Sequence, residues 1–189
     1  SAEILVRTGA RIDLIDKPSG QIRLAMVRRY IPRHQWKEWL PMLLAHCTLK
    51  HFKQAGFRGM EVARYFRASD NDLLAAGFSD GTIAATRFLL TRHRASECRD
   101  IGCTALDCMD AGYAATDLES MCKRIHDSKG CEKQVIISEG KYGIIEQVKE
   151  NGRAVKIIYE DGTTNSNHVG DGWAYIVATP VSSLEWASC

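Results

Sequence analysis

One phrase recurs in this chain, as Ala55-Gly56-Phe57, Ala76-Gly77-Phe78 and Ala111-Gly112-Tyr113, with a weaker copy at Ile101-Gly102-Cys103. Glycine is the usual residue where a helix ends, and the last two copies place their glycines ten residues apart. Isolated helices shorter than ~12–15 residues are marginal in water, so units of this length must stack on one another. The phrase therefore predicts a stack of short helices, in which glycine makes the turn, alanine permits close approach and the aromatic ring fills the gap.

Helix starts are also visible in the sequence. N-cap residues stand before several apolar stretches, at Ser69, at Ser79 or Asp80, and at Thr104. Asp70 and Asp72 have the chemistry to hold a cation, but a role at the helix start explains them better. The same plan predicts a further helix over residues 116–125.

The two ends of the chain alternate between apolar and polar residues, as strands do. Apolar residues flank residues 16–20, whose Pro-Ser-Gly sequence predicts the turn of an N-terminal β-hairpin. After residue 130, short strands are predicted over residues 135–137, 142–148, 155–159 and 173–177. Asn151-Gly152 and Asp161-Gly162 are turn signals between them. Such strands and turns predict a small SH3-like or Tudor-like β-barrel.

These patterns together predict an α+β fold in four parts. Residues 1–31 form an N-terminal hairpin or extended segment, and residues 32–128 form a domain of short helical repeats. The SH3-like β-barrel covers residues 132–179, and a tail covers residues 180–189. No apolar run approaches the ~18 residues of a membrane-spanning helix, so no membrane-spanning segment is expected.

Charge is divided unevenly along the chain. Up to residue 100 there are 17 Lys+Arg and 10 Asp+Glu, a balance of +7; from residue 101 onward there are 8 and 13, a balance of −5, which together give the net +2. Most of the basic residues in the first half are arginines, which suit bidentate contact with phosphate or carboxylate. This half favours an acidic partner, either nucleic acid or protein; the alternative is that these arginines lie on solvated helix faces.

Seven cysteines are many for 189 residues. Cys98, Cys103 and Cys108 recur at five-residue spacing, which meets only the loose end of the usual zinc pattern and has no histidine in register. The spacing favours buried thiols first, one or two disulfides second and a metal site third. Cys122 and Cys131 follow, and the same alternatives of buried thiol or disulfide apply to them.

No catalytic signature in the chain is comparably clear. There is no phosphate-binding glycine loop, no metalloprotease motif and no nucleophile elbow. His46-Cys47 and His51 lie close enough in sequence for a Cys–His pair, but packing or surface roles explain them better. We therefore expect no cofactor and no enzyme activity.

Eight residues are the candidate contacts for a partner, namely Arg28, Arg29, Arg33, Trp36, Trp39, Arg92, Arg94 and Trp186. Tryptophan and arginine are typical hot-spot residues of interfaces. Trp36 and Trp39 stand three residues apart on one predicted helix face, which suits either an interface anchor or ordinary core. Trp186 lies in the tail and is the best single candidate for an intermolecular anchor.

The phrase A-G-[FY]-[ST]-x-x-x-[LI], in units of about ten residues, resembles short helical repeats of many uncharacterised algal and protist proteins. Ala76-Gly77-Phe78-Ser79 with Ile83 matches it, and the copy ending at Tyr113 departs from it at Ala114. The resemblance covers roughly residues 49–122. It implies no enzyme activity, an algal source and a plastid location.

Two further resemblances concern parts of the chain. Residues 36–94 are similar to a SAM domain. Trp39-Leu40 stands at the "WL" of its first helix, and Gly77-Phe78 stands at the end of its t-x-x-D-L-x-x-x-G-I pattern. The C-terminal part is similar to SH3-like barrels through Gly143-Ile144-Ile145 and residues 155–162. Such barrels bind peptides, RNA, modified histones or neighbouring subunits, so the fold alone does not give the function.

The sequence thus favours a non-catalytic scaffold or linker subunit, whose partners are other protein subunits of a larger assembly. The algal resemblance implies a plastid complex, such as a photosystem with its antenna, as the host, and hence a role in photosynthesis. One alternative is a nucleic-acid-binding module that uses the basic half and the barrel. The other is an enzyme with an unrecognised Cys or His site.

Overall fold

The structure is a computed structural model and describes residues 15–16, 21–22, 35–36, 38, 47–124, 133–149, 154–168 and 174–178. The helices between residues 47 and 124 are α1 (Leu49–Gln54), α2 (Gly59–Phe66), α3 (Asp70–Ala75), α4 (Asp80–Leu90), α5 (Ala95–Asp100), α6 (Ala105–Ala111) and α7 (Ala115–Leu118), with a 3-10 turn at Glu119–Met121. The strands are β1 (Ile15–Asp16), β2 (Gln21–Ile22), β3 (Lys123–Arg124), β4 (Val135–Ser138), β5 (Lys141–Lys149), β6 (Ala154–Tyr159), β7 (Thr164–His168) and β8 (Tyr175–Ala178). The predicted α+β class is confirmed.

Reciprocal caps explain why the short helices begin where they do. Ser69 Oγ accepts the amide of Asp72 at 3.2 Å, and the Asp72 carboxylate accepts the amide of Ser69 at 2.8 Å. Thr104 and Asp107 make the same pair of bonds at 3.1 and 3.0 Å. Each capping box satisfies two amides that have no partner inside the helix, so a six- or seven-residue helix has a defined start.

The predicted role of glycine at the helix ends is confirmed. Gly56, Gly77, Gly102 and Gly112 have left-handed φ angles of 82°, 93°, 90° and 113°. The residue after each glycine donates its amide to a carbonyl five residues back, for example Phe78 to Leu73 at 3.1 Å. This is the Schellman arrangement, which brings the two bonded residues into contact. Phe57, Phe78 and Tyr113, the aromatic residues of the phrase, are all buried.

The helix predicted over residues 116–125 is present only as a single turn, and its predicted extent is wrong. Helix α7 ends at Leu118, and Cys122 is extended with φ −106° and ψ 151°. Ala114, at the N-cap of α7, has no side-chain acceptor for the helix amides. Strand β3 follows instead and pairs antiparallel with β8, Lys123 opposite Ile176. A ladder with a strand about fifty residues away has displaced the local helical pattern.

The six-stranded sheet has the order β3-β8-β4-β5-β6-β7, and all its neighbouring strands are antiparallel. Glu139 and Gly140 connect β4 to β5 with φ angles of 53° and 70°, as a type I′ turn requires. Gly162, with φ 80°, lies in the predicted Asp161-Gly162 turn between β6 and β7. In the part of the chain that the structure describes, no ladder joins the edge strands β3 and β7, so closure into a barrel stays a prediction.

The predicted N-terminal hairpin has a counterpart in the structure. Ile15 pairs with Ile22 and Asp16 pairs with Gln21, in antiparallel register. The four residues between these strands contain the Pro-Ser-Gly sequence that predicted the turn. The described strands are therefore two residues long on each side.

Buried apolar residues form three clusters. The first cluster joins Trp36 to α1, α2, α3 and the start of α4. The second contains residues of α4 to α7 together with Val135, Ile137, Tyr142 and Val177 of the sheet. The third lies on the other face of the sheet, around Ile136, Ile145 and Ile157. The helices and the sheet therefore share the second cluster, while the boundaries of the four predicted parts stay predictions.

No helix within the described residues combines the length and the apolar character that crossing a membrane requires.

Candidate interaction surface

The structure describes only some of the eight residues predicted to contact a partner. Arg28, Arg29, Arg33, Trp39 and Trp186 lie outside the described residues. Trp36, Arg92 and Arg94 are described, and they differ sharply in exposure.

Trp36 lies in the core of the helical half. Its side chain is 5% exposed, and its ring lies 5.1 Å from Phe57 and 5.6 Å from Tyr65, measured between centroids. Phe57 belongs to the first Ala-Gly-aromatic phrase, so Trp36 packs on a repeat turn. This placement corresponds to the ordinary-core alternative and leaves little of the ring for a partner.

Arg92 and Arg94 project from a turn whose backbone is held firmly. The Arg92 amide donates to Leu89 O at 3.0 Å, and the next amide, of His93, donates to Phe88 O at 2.9 Å. From the neighbouring unit, the Tyr113 hydroxyl donates to His93 O at 3.1 Å. Both arginine side chains are exposed. A rigid turn thus presents two guanidinium groups to solvent.

Arg64 and Arg67, on α2 and directly after it, are also exposed, although sequence reasoning did not select them. Arg67 has a left-handed φ of 52°. The available signal was positional, because Arg67 follows the last residue of α2, and other units place a glycine within two residues of the helix end. We name the exposed set Arg64, Arg67, Arg92 and Arg94 the arginine surface.

Not every arginine of the basic half faces a partner. Arg58 is largely buried, and its guanidinium contacts Asp110 of α6 at 3.4 Å and Glu160, after β6, at 2.8 Å. It also lies over the ring of Tyr142 in β5, 5.6 Å from the centroid. Burial raises the pKa of the Asp110 carboxyl, and the charge of Arg58 opposes that rise. Arg58 therefore fastens the helices to the sheet.

Arg87 likewise binds within the chain. Its Nε donates to Asp70 Oδ1 at 2.6 Å, and its Nη2 donates to Ala68 O at 3.4 Å. These bonds hold the start of α3 and the end of α2 beside α4. Arg58 and Arg87, two arginines of the basic half, therefore neutralise carboxylates of this chain.

The cysteines with five-residue spacing meet in one buried cluster. Cys98, Cys103 and Cys108 are buried thiols, and none of them is in a disulfide. Cys98 Sγ lies 3.1 Å from the hydroxyl of Tyr113. Burial raises the pKa of Cys103 and of Cys108, and it raises the pKa of Cys122 to about 11. The thiols of Cys103, Cys108 and Cys122 are therefore poor nucleophiles at neutral pH, because the thiolate is the reactive form.

The histidine of the proposed Cys–His pair is engaged elsewhere. His51 Nδ1 accepts the amide of Thr48 at 3.2 Å, which places this ring nitrogen in the cap of α1. Cys47 is buried, and His46 lies outside the described residues. Across the described ranges, no three or more His, Cys, Asp or Glu side chains are grouped so that they could hold a metal ion.

The large exposed apolar side chains of the described residues all lie in the helical half. They are Leu74 of α3, Leu90 of α4 and Ile101 after α5, which are 53%, 37% and 51% exposed. Ile101 is the informative one, because it precedes Gly102 as Ala55, Ala76 and Ala111 precede their glycines. Those three alanines are buried. The residue before the glycine is therefore buried in three units and exposed in the unit that ends at Ile101-Gly102.

No family model, no curated protein and no solved structure matches this chain. The candidate surface consequently rests on the geometry described above.

Proposed function

We propose that this chain is a non-catalytic scaffold or linker subunit that mediates contacts between proteins in a larger assembly. The observation that carries this proposal is the exposure of Leu74, Leu90 and Ile101 on successive units of the helical half. Exposed apolar side chains cost free energy in water, about 25 cal/mol for each Å² that a partner would cover. A partner on this half would recover that free energy.

The turn after α5 is the clearest contact point. A Cβ atom added to Gly102 would meet nothing within 4 Å, whereas one added to Gly112 would lie 3.3 Å from Arg58 Cβ. Space is therefore open around Ile101-Gly102, and the apolar side chain there faces it. An alanine would have served the helix turn as well as in the other units, so the larger isoleucine suits a contact outside the chain.

Internal use of the reactive groups supports a non-catalytic role. Asp72 and Asp107 cap helices, and Arg58 and Arg87 neutralise carboxylates of the chain. The thiols of Cys98, Cys103 and Cys108 are buried in the core. The outside of the helical half presents exposed apolar and basic side chains beside acidic ones, a mixture that is suited to binding.

The host assembly is proposed from the resemblance to algal repeats alone. It is a plastid complex, such as a photosystem with its antenna, in which this chain contacts other protein subunits. A plastid location and a role in photosynthesis belong to this proposal.

The test is purification of the tagged full-length chain from its native source, followed by size-exclusion chromatography. We expect elution in a complex of fixed stoichiometry, and we expect the double variant Leu74→Ser, Ile101→Ser to lose the partner while keeping its circular dichroism spectrum. Thr164→Ser, an exposed change on the sheet, is the matched control and should retain the partner. Elution of the unmodified chain as a clean monomer would contradict the proposal.

A thiol probe tests the enzyme alternative. Because burial suppresses the thiolate at Cys103, Cys108 and Cys122, we expect these cysteines to react with iodoacetamide at neutral pH far more slowly than free cysteine does. Mass spectrometry of the peptides would locate any label. Rapid labelling of a single one of these thiols in the folded protein would favour a nucleophilic site over a scaffold.

A further inference from the structure

Helices α1 to α6 all end on a residue in the left-handed conformation. Glycine provides it after α1, α3, α5 and α6, whereas arginine provides it after α2 and α4. The two arginines are Arg67, with φ 52°, and Arg92, with φ 65°. The chain thus uses two residue types for one backbone role, and arginine is the unexpected one.

Arginine is a poor choice for this backbone position. Glycine adopts the left-handed conformation without a steric penalty, whereas a residue with a Cβ atom is strained there. Apart from glycine, Asn and Asp adopt this conformation most readily, because their short side chains bond the local backbone. Arginine gains no such bond, so Arg67 and Arg92 each cost the fold some stability. Backbone strain of this kind is typical of functional sites.

Neither guanidinium group is used inside the described part of the chain. Both side chains are exposed, and neither one forms an ion pair or a side-chain hydrogen bond with another described residue. Arg58 and Arg87 show the contrast, since each binds a carboxylate of the chain. The strain at Arg67 and Arg92 is therefore not explained by any internal contact among these residues.

The two arginines lie in one region of the helical stack. Arg87 of α4 contacts the carbonyl of Ala68, the residue after Arg67, at 3.4 Å. Arg92 follows Arg87 by five residues and stands two residues beyond Leu90, the end of α4. Arg64 and Arg94, the other members of the arginine surface, stand within three residues of one of these two. The surface therefore offers several guanidinium groups over a short span.

We propose that Arg67 and Arg92 are contact residues for an acidic segment of a partner protein, whose carboxylates they bind. This inference rests on the proposed scaffold function and names the chemistry of the partner. The planar guanidinium group matches a carboxylate in two-point contact. Because the backbone of the turn is already held by hydrogen bonds at Arg92, binding there would order the side chain and not the turn.

Carboxylates fit this surface better than the phosphates of a nucleic acid do. Exposed acidic residues lie on the neighbouring helices α3, α4 and α5, namely Asp70, Asp72, Asp80, Glu97 and Asp100. A nucleic acid has a charge on every nucleotide and would meet these carboxylates along its length. An acidic protein segment has separate charges, which can meet the arginines and avoid the acidic residues.

The first measurement is thermal stability. We expect Arg67→Gly and Arg92→Gly each to raise the melting temperature, by about 2–4 °C, because the strain is removed while the turn is kept. A fall in melting temperature for both variants would overturn the argument, since the arginines would then be serving the fold.

The second measurement is binding of fluorescent poly-L-glutamate to the full-length chain at low salt. We expect the double variant Arg67→Gly, Arg92→Gly to bind at least about tenfold more weakly than the unmodified chain. The matched control is Lys50→Gln, Arg99→Gln, which removes the same charge from exposed positions without left-handed backbone. Equal losses in the two double variants would show a general effect of charge and would overturn the proposal.

Two further arms identify the chemistry. Arg67→Lys, Arg92→Lys keeps the charge but loses the fork of donors, so we expect it to bind poly-L-glutamate more weakly than the unmodified chain. Single-stranded RNA of equal charge is the competing probe, and stronger binding of RNA than of poly-L-glutamate at these arginines would overturn the choice of an acidic protein. If the arginine variants keep the native partner while Leu74→Ser, Ile101→Ser loses it, the scaffold function stands and this inference fails.

Discussion

The helical half and the sheet specify their structures over very different distances along the chain. A helical unit such as residues 104–113 caps its start with Asp107 and closes its end with the bond from Tyr113 to Cys108, all within ten residues. The sheet depends on remote pairs, for example Ile136 with Ile176. The comparison teaches that local signals determine the helix ends, whereas the two halves are joined by contacts that no short stretch encodes.

The largest expected effect tests whether the two halves unfold together. Phe52 is fully buried in the helical cluster, and Phe52→Ala removes its ring, so we expect a loss of about 3–5 kcal/mol in the free energy of unfolding. Because the second cluster joins α4 to α7 to the sheet, hydrogen exchange should accelerate in β4 and β5 as well as in α1. Leu74→Ala, an exposed change on α3, should leave both halves unchanged. Protection that persists in the sheet of the Phe52 variant would show that the halves are independent.

The second effect concerns the contact that joins the halves. Arg58→Ala removes the guanidinium group that contacts the carboxylates of Asp110 and Glu160, so we expect a loss of about 2–3 kcal/mol in urea unfolding at neutral pH. The folded-state pKa of Asp110 is already raised by burial and would rise further without Arg58, and an acid with a raised pKa loses stability as the pH increases. The cost of the variant should therefore shrink in acid. Lys141→Ala, which breaks the exposed pair with Asp161, is the control and should have no measurable effect at either pH.

A matched pair of glycines separates local strain from packing between units. Gly102→Ala should cost about 1 kcal/mol, because its φ of 90° strains a Cβ atom that otherwise meets open space. Gly112→Ala should cost about 2 kcal/mol, because the same strain is joined by a tight approach of 3.3 Å to Arg58 Cβ. Thermal unfolding monitored by circular dichroism would measure both. Equal costs would mean that the close approach at Gly112 carries no energy.

The smallest expected effect concerns a single cap. Burial alone would raise the pKa of Asp107, but the hydrogen bonds from Thr104, Ser79 and Thr82 outweigh it and hold the pKa below its usual value. A depressed pKa gives stability that is present above the unfolded-state value of 3.8 and is lost as the pH falls through the folded-state value. Asp107→Ala should cost about 1 kcal/mol at neutral pH and less in acid.

Asp117→Ala is the control for that cap. Asp117 has the same position in α7, but Ala114 replaces the capping hydroxyl there, so its removal should cost less than the removal of Asp107. Urea unfolding between pH 3 and pH 7 would compare the two variants. A pH-independent cost at Asp107 would contradict the role of its ionised form.

Local chemistry explains which features could be predicted from the sequence. Ser69 and Thr104 at the helix starts, and the glycines at the helix ends, have the same meaning wherever they occur, and the structure places them as expected. The helix over residues 116–125 failed because β3 depends on β8, about fifty residues away. Arg58 could not be recognised as an internal contact, since its partner Glu160 is 102 residues along the chain.

The candidate contact residues likewise include some that the sequence indicates and some that it does not. Residue type and charge selected Arg92 and Arg94, which are exposed, and also Trp36, which the first cluster buries. They did not select Arg67, because nothing about an arginine marks a left-handed turn. The signal that would have found it is the alignment of helix ends across the units, in which Arg67 and Arg92 occupy the place of glycine.

The place of β8 in the sheet has a consequence for the order in which the protein takes shape on the ribosome. Each helical unit has its start and end signals within a few residues and is synthesised before any of strands β4 to β8. Strand β8 is the last described strand to be made, yet it lies between β3 and β4. Strand β3 therefore waits for its neighbour until translation has passed residue 178, about fifty residues after β3 itself. During that interval the apolar side chains of the helices that share the second cluster with the sheet are open to chaperones.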